Sequence, residues 1–142
     1  MTKILFICLG NICRSPMAEF VMKDLVEKAG LADEFQIDSA ATCRDEIGNP
    51  VYPPARRKLA EHGISCEGHA ACQLTAQDYE EYDLLIGMEG ANLKNMQRIC
   101  GGDPARKMHR LLDWYTGDFE ATWRDVSTGC QGLLASIQNK NV

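Results

Sequence analysis

Residues 8–15 read Cys8-Leu9-Gly10-Asn11-Ile12-Cys13-Arg14-Ser15: a cysteine and an arginine five residues apart, with a hydroxyl beside the arginine. A thiolate is a strong nucleophile, and a guanidinium presents a planar fork matched to phosphate oxygens. Together they suit attack by sulfur on a phosphate monoester. Cys-x5-Arg alone arises often by chance, so its flanks matter. Ile4-Leu5-Phe6-Ile7 is a short apolar run, as in a strand buried on both faces. Gly10 and Asn11 reach left-handed backbone angles at least cost, so the loop can curl and aim N–H groups at an anion. Ser15 suits a helix N-cap and Pro16 the first helical position, where the helix dipole adds positive charge. Such a cradle favours thiolate over thiol at Cys8. The plainer alternative is a structural cysteine in a buried strand, with Arg14 on the surface. It leaves Gly10, Asn11, Ser15 and Pro16 without a common purpose.

The elements that must position these residues alternate along the chain. The spacing of Met17, Phe20, Val21 and Leu25 predicts a helix over 17–29, with Glu19, Lys23 and Glu27 off that face and Gly30 beyond its end. Phe35-Gln36-Ile37 is a second strand, ending at Asp38-Ser39-Ala40. Residues 42–54 form a loop punctuated by Gly48-Asn49-Pro50 and Pro53-Pro54. Residues 55–62 form a short helix whose Arg56-Arg57-Lys58 cluster reads as a solvated face. Residues 73–82 are helix or turn. Leu84 to Met88 is a third strand, Asn92 to Cys100 a helix stopped by Gly101-Gly102, and Met108 to Leu112 a fourth strand. The last helix, over 119–137, places Trp123, Val126, Cys130, Leu133, Leu134 and Ile137 at core spacing. This is an α/β pattern: a three-layer open sheet of four parallel strands flanked by helices, in a single domain over 1–142, with the phosphate loop after the first strand. In such sheets ligands lie beyond the carboxyl ends of the strands. The Cys8 loop, Asp38-Ser39, Met88-Glu89 and Leu112-Asp113 therefore share one edge.

Composition narrows the classes. The chain has 142 residues, 45% hydrophobic and 25% charged, an ordinary globular balance. No apolar run approaches the roughly 20 residues of a membrane span, and Met1-Thr2-Lys3 runs straight into the first strand without a signal peptide. A net charge of −5 argues against a nucleic-acid binder. Seven scattered cysteines, an odd number, fit a reducing cytoplasm better than a disulfide scaffold. Their spacing suits no common metal site, and no cofactor is expected.

Cys8 to Pro16 resembles the signature loop of the low-molecular-weight protein tyrosine phosphatases, and the resemblance runs along nearly the whole chain. It implies hydrolysis of phosphotyrosine proteins or small aryl phosphates through a cysteinyl-phosphate, releasing inorganic phosphate. Cys8 is then the nucleophile, and Arg14 with the loop residues Leu9, Gly10, Asn11, Ile12, Cys13 and Ser15 binds phosphate. The resemblance also implies a polar network of Asn11, Ser15, Ser39 and His69 that holds the loop, with Ser15 donating to the Cys8 sulfur. His69 taken alone reads as a partly exposed loop histidine, and only the resemblance gives it this role. Glu89 and Asn92 stand where the family usually has Asp and Asn, in structural roles. Cys13 matches a thiol that traps an oxidised nucleophile as a disulfide.

The leaving group needs an acid. The family supplies an Asp from an Asp-Pro followed by two aromatics, in a loop after the fourth strand. Here that stretch reads Leu112-Asp113-Trp114-Tyr115-Thr116-Gly117-Asp118, without the Pro and several residues short. Asp103-Pro104 precedes the fourth strand, which puts it at the wrong edge of the sheet. Asp113 is therefore the expected acid, and Trp114 and Tyr115 the aromatic wall of the substrate pocket, with core packing the other reading for Trp114. The opposite wall, Arg44-Asp45-Glu46, lacks an aromatic. Two further readings stand beside the phosphatase: a thiol-dependent arsenate reductase relaying through Cys66 and Cys72, and a catalytically weak phosphate-binding module.

Overall fold

A computed structural model describes residues 1–111 and 119–139. Four strands, β1 (Thr2–Cys8), β2 (Phe35–Ala41), β3 (Leu84–Gly87) and β4 (Met108–Arg110), form one parallel sheet in the order β2-β1-β3-β4. The helices are α1 (Arg14–Lys28), α2 (Pro53–Glu61), α3 (Ala76–Glu81), α4 (Gly90–Cys100) and α5 (Phe119–Gln138). Among the described residues no helix is long and apolar enough to cross a membrane.

Strand β1 is central because its side chains are apolar on both faces. Ile4, Phe6 and Cys8 point into one core with Met17, Val21 and Met22 of α1 and Val126, Cys130 and Leu134 of α5. Leu5 and Ile7 point into the other with Tyr79, Tyr82, Leu85 and Met96. Period-two alternation along a strand produces this split. The connection leaving β1 goes to one side and reaches β2, while β3 lies on the other side. The strand order thus reverses between β1 and β3, and the crevice of an open α/β sheet opens at that point. Cys8 is the last residue of β1, so the loop after it occupies the crevice.

Four local expectations are corrected. Helix α1 begins at Arg14 with Cys13 as its N-cap, so Ser15 is its second residue and not the cap. Pro16, the third residue, is tolerated because first-turn amides lack helical partners anyway. Only Asn11 in the loop takes a left-handed backbone, at φ 59°; Gly10 does not. Glu19, expected off the apolar face, is buried. The expected fourth strand over 108–112 is shorter: β4 ends at Arg110, Leu111 is a bend, and Leu112 lies outside the described residues.

Candidate active site

The site grows from the end of β1. The Cys8 carbonyl accepts from Thr42 N–H at 3.0 Å, and the Leu9 carbonyl accepts from Cys43 N–H at 3.0 Å. These bonds extend the β1–β2 pairing and anchor the loop's first residues. Beyond them the backbone reverses at Asn11. Three donors meet the Cys8 sulfur: Ser15 Oγ at 3.0 Å, Asn11 N–H at 3.3 Å and Ser15 N–H at 3.4 Å. Donors converging on sulfur favour its anion.

Asn11 is the keystone of the loop. It is fully buried. Its Nδ2 donates to Ser15 Oγ at 2.8 Å, its Oδ1 accepts from Cys72 N–H at 3.1 Å, and its carbonyl lies 2.8 Å from His69 Nε2. The first bond has a chemical consequence. A hydroxyl that accepts from Asn11 keeps its own proton for another partner, and the nearest is the Cys8 sulfur. His69 in turn stands edge-on to Phe20, with ring centres 6.2 Å apart.

Arg14 is the first residue of α1 and is buried, with Nη1 3.4 Å from Glu89 Oε1. Glu89 is the N-cap of α4 and its carboxylate also accepts the Asn92 amide. Asn92 Oδ1 accepts from Met88 N–H at 3.1 Å and Glu89 N–H at 3.0 Å. The carboxylate that holds Arg14 is therefore itself held by a helix start. Leu9 is exposed at the mouth; Gly10, Ile12 and Cys13 are half-buried. No disulfide joins any of the seven cysteines, Cys8 and Cys13 included.

Ser39 does not reach the loop directly. Its Oγ donates to Glu19 Oε1 at 2.5 Å, and its carbonyl accepts from the Cys72 thiol at 3.4 Å. Glu19 Oε2 meets Lys23 Nζ at 2.6 Å. Ser39 thus braces α1 against β2, and only through Cys72 does it touch the network around Asn11. Two functional parts were not read from sequence: Glu19 and the main-chain amide of Cys72. The first left one signal, an acid four residues after Ser15 in an apolar helix; the second left none, because any residue but proline supplies an amide. Asp103 ties Tyr79, Lys107 and Met108 together before β4, which is a structural task. Asp113, Trp114 and Tyr115 lie outside the described residues.

A family model described as low molecular weight phosphotyrosine protein phosphatase matches residues 3–142. The chain belongs to that family. The low molecular weight protein-tyrosine-phosphatase YfkJ of Bacillus subtilis is 39% identical over 153 residues, covering 99% of this chain and 98% of YfkJ. The human low molecular weight phosphotyrosine protein phosphatase is 33% identical over 147 residues, 92% of each chain. The crystal structure of YfkJ superposes with a TM-score of 0.94 at 37% identity, over 100% of this chain and 98% of YfkJ. That of the Streptococcus pyogenes phosphatase SP-PTP does so with 0.86 at 39% identity, over 95% and 92%. The chain is accordingly a cysteine-dependent protein tyrosine phosphatase of low molecular weight, built on that family's four-stranded parallel sheet.

Proposed function

We propose that this enzyme works in the cytoplasm on phosphotyrosine-type aryl phosphate monoesters, with Cys8 as nucleophile and Arg14 and the amides of residues 9–15 as the phosphate cradle. The observation that carries this is the convergence of Asn11 N–H, Ser15 N–H and Ser15 Oγ on the Cys8 sulfur at 3.0–3.4 Å. The sulfur attacks phosphorus as the bond to the phenolate oxygen breaks. The cradle and guanidinium hold the three equatorial oxygens where charge spreads. Asp113 protonates the phenolate, then takes a proton from the water that cleaves the sulfur–phosphorus bond and frees phosphate and thiolate. Ser15 Oγ stabilises the sulfur as it departs. Trp114 and Tyr115 flank the substrate ring.

The alignment with YfkJ is longer than the 142 residues here, so YfkJ carries residues with no counterpart in this chain. The few residues, 113–118, between the expected fourth strand and the last helix support a shortened general-acid loop and slow turnover of poor leaving groups. The arsenate-reductase relay draws no such support. Cys66 is buried and Cys72 turns its sulfur to a carbonyl. Partial desolvation, then the carboxylates of Asp78, Glu19 and Asp38, push the Cys72 thiol up.

Nitrophenyl phosphate tests the nucleophile: wild type turns it over and Cys8→Ser does not. Phenyl phosphate, whose leaving group needs a proton, tests the acid. Asp113→Asn should slow it by ~10²–10⁴-fold. Unchanged turnover would remove Asp113 from the mechanism. Phosphate binding without turnover of either ester would make the chain a binding module.

A further inference from the structure

Beside the phosphate loop opens a cleft of about 410 Å³, walled by Ile12, Tyr52 and Pro53 and rimmed by Glu46, Arg56 and Arg57. Its volume sits at the small end of ligand-sized sites, enough for one or two side chains. Two links join it to the reacting centre. Ile12 belongs to the loop itself, and its carbonyl accepts from Tyr52 N–H at 2.7 Å, so the cleft wall is stapled to the loop. Glu46 packs over Gly10 as well, where an added methyl would lie 3.4 Å from Glu46 Cγ. An occupant of the cleft is therefore held in fixed register with phosphate on Cys8.

Its chemistry is apolar below and cationic above. Tyr52 is 44% exposed, a large ring open to solvent. Arg56 and Arg57 are exposed on α2, and among the described residues neither meets a carboxylate at ion-pair distance, whereas neighbouring Lys58 pairs with Glu61 at 2.7 Å. The one acid on the rim, Glu46, already accepts from Asn49 Nδ2 at 2.6 Å. Two guanidiniums in a chain of net charge −5 thus face outward over an apolar floor. Both lie on a solvated helix face, as their charge predicts, with the cleft beside them.

We infer that this cleft is a specificity subsite for the substrate's own polypeptide: it takes an apolar side chain of a phosphotyrosine peptide while Arg56 and Arg57 receive an adjacent carboxylate. This rests on the phosphatase reading above. An extended peptide advances about 3.3 Å per residue with alternate side chains on one face. Residues close to the phosphotyrosine on one side therefore meet the cleft, and the direction of the chain is read from experiment.

The test uses fluorescent phosphotyrosine peptides of equal length, carrying Leu-Glu, Leu-Lys or Ser-Ser either before or after the phosphotyrosine. Binding is measured on Cys8→Ser, and kcat/KM on the enzyme with Cys8 intact. One Leu-Glu peptide should bind roughly tenfold tighter than its Ser-Ser counterpart, since one apolar group in a pocket discriminates by at least that much. Arg57→Glu and the double change Arg56→Glu/Arg57→Glu should remove up to about fivefold per charge from the Leu-Glu peptide. Nitrophenyl phosphate, too small to reach the cleft, reports damage to the loop, so the ratio of peptide to nitrophenyl phosphate kcat/KM should fall. Equal binding of all peptides overturns the subsite, as does an equal loss on peptide and nitrophenyl phosphate. If no aryl phosphate is turned over, the phosphatase reading fails, while the peptide preference on Cys8→Ser still decides the subsite.

Discussion

Replacing Asn11 with Ala should damage both stability and turnover. The change removes the acceptor of Cys72 N–H and the donor to Ser15 Oγ, and it puts Ala at φ 59°. A half-buried amide left without its acceptor costs roughly 1–3 kcal/mol, and the left-handed backbone about 1 kcal/mol more than for Asn. The sum, roughly 2–4 kcal/mol, lowers Tm by about 5–15 °C in a chain of this size. The Ser15 hydroxyl also loses the donor that directs its proton to sulfur, so kcat on nitrophenyl phosphate should drop by around 10²-fold, as when one aimed donor is lost. Asn11→Gly separates the causes, because glycine accepts the backbone angle but makes neither bond. It should regain about 1 kcal/mol of stability and none of the activity. Scanning calorimetry and steady-state kinetics on the three proteins read this directly. If Asn11→Gly melts and turns over like wild type, the side-chain bonds do not hold the loop.

Glu89→Ala removes both the partner of Arg14 and the cap of α4, whereas Glu89→Asn keeps a capping side chain without the charge. Both should raise KM for nitrophenyl phosphate, and only Glu89→Ala should also lose about 1 kcal/mol in urea melts. A Cβ at Gly129 would lie 2.7 Å from Leu111 Cγ, while one at Gly132 meets open space. Gly129→Ala should therefore destabilise by about 1–3 kcal/mol and Gly132→Ala stabilise by up to about 1 kcal/mol, read by thermal melts. Burial, helped by the hydrogen bond to Asp38, holds the Tyr82 proton well above the ordinary phenol value near 10. The unfolded chain then ionises first, so stability present below about pH 10 is lost as pH rises further. Urea midpoints between about pH 9 and 11 should fall less steeply for Tyr82→Phe than for wild type.

Much of the architecture was legible because buried parallel strands leave unbroken apolar runs. Ile4 to Ile7 and Leu84 to Ile86 are apolar at every position since both sheet faces are covered. The loop of residues 8–15 was legible as a tight turn because Cys8, Asn11 and Ser15 stand at spacings that let it gather donors on one sulfur. Glu19 was misread because helical periodicity assigns acids to water. It cannot foresee that Ser39 and Lys23 will meet the buried carboxylate. The start of α1 was misplaced because Ser15 has the chemistry of a cap, yet the sulfur and Asn11 claim its hydroxyl.

By itself, the order of residues determined the sheet, its flanking helices and the place of Cys8 at the end of β1, because local patterning and short-range spacing carry that information. Tertiary structure alone decided that a backbone amide 61 positions from Asn11 and a carboxylate from the start of α4 against Arg14 hold the loop, and which atom of it the His69 imidazole meets. Main-chain groups have no side-chain signature, and contacts so distant along the chain exist only once strands β1, β2 and β3 lie side by side.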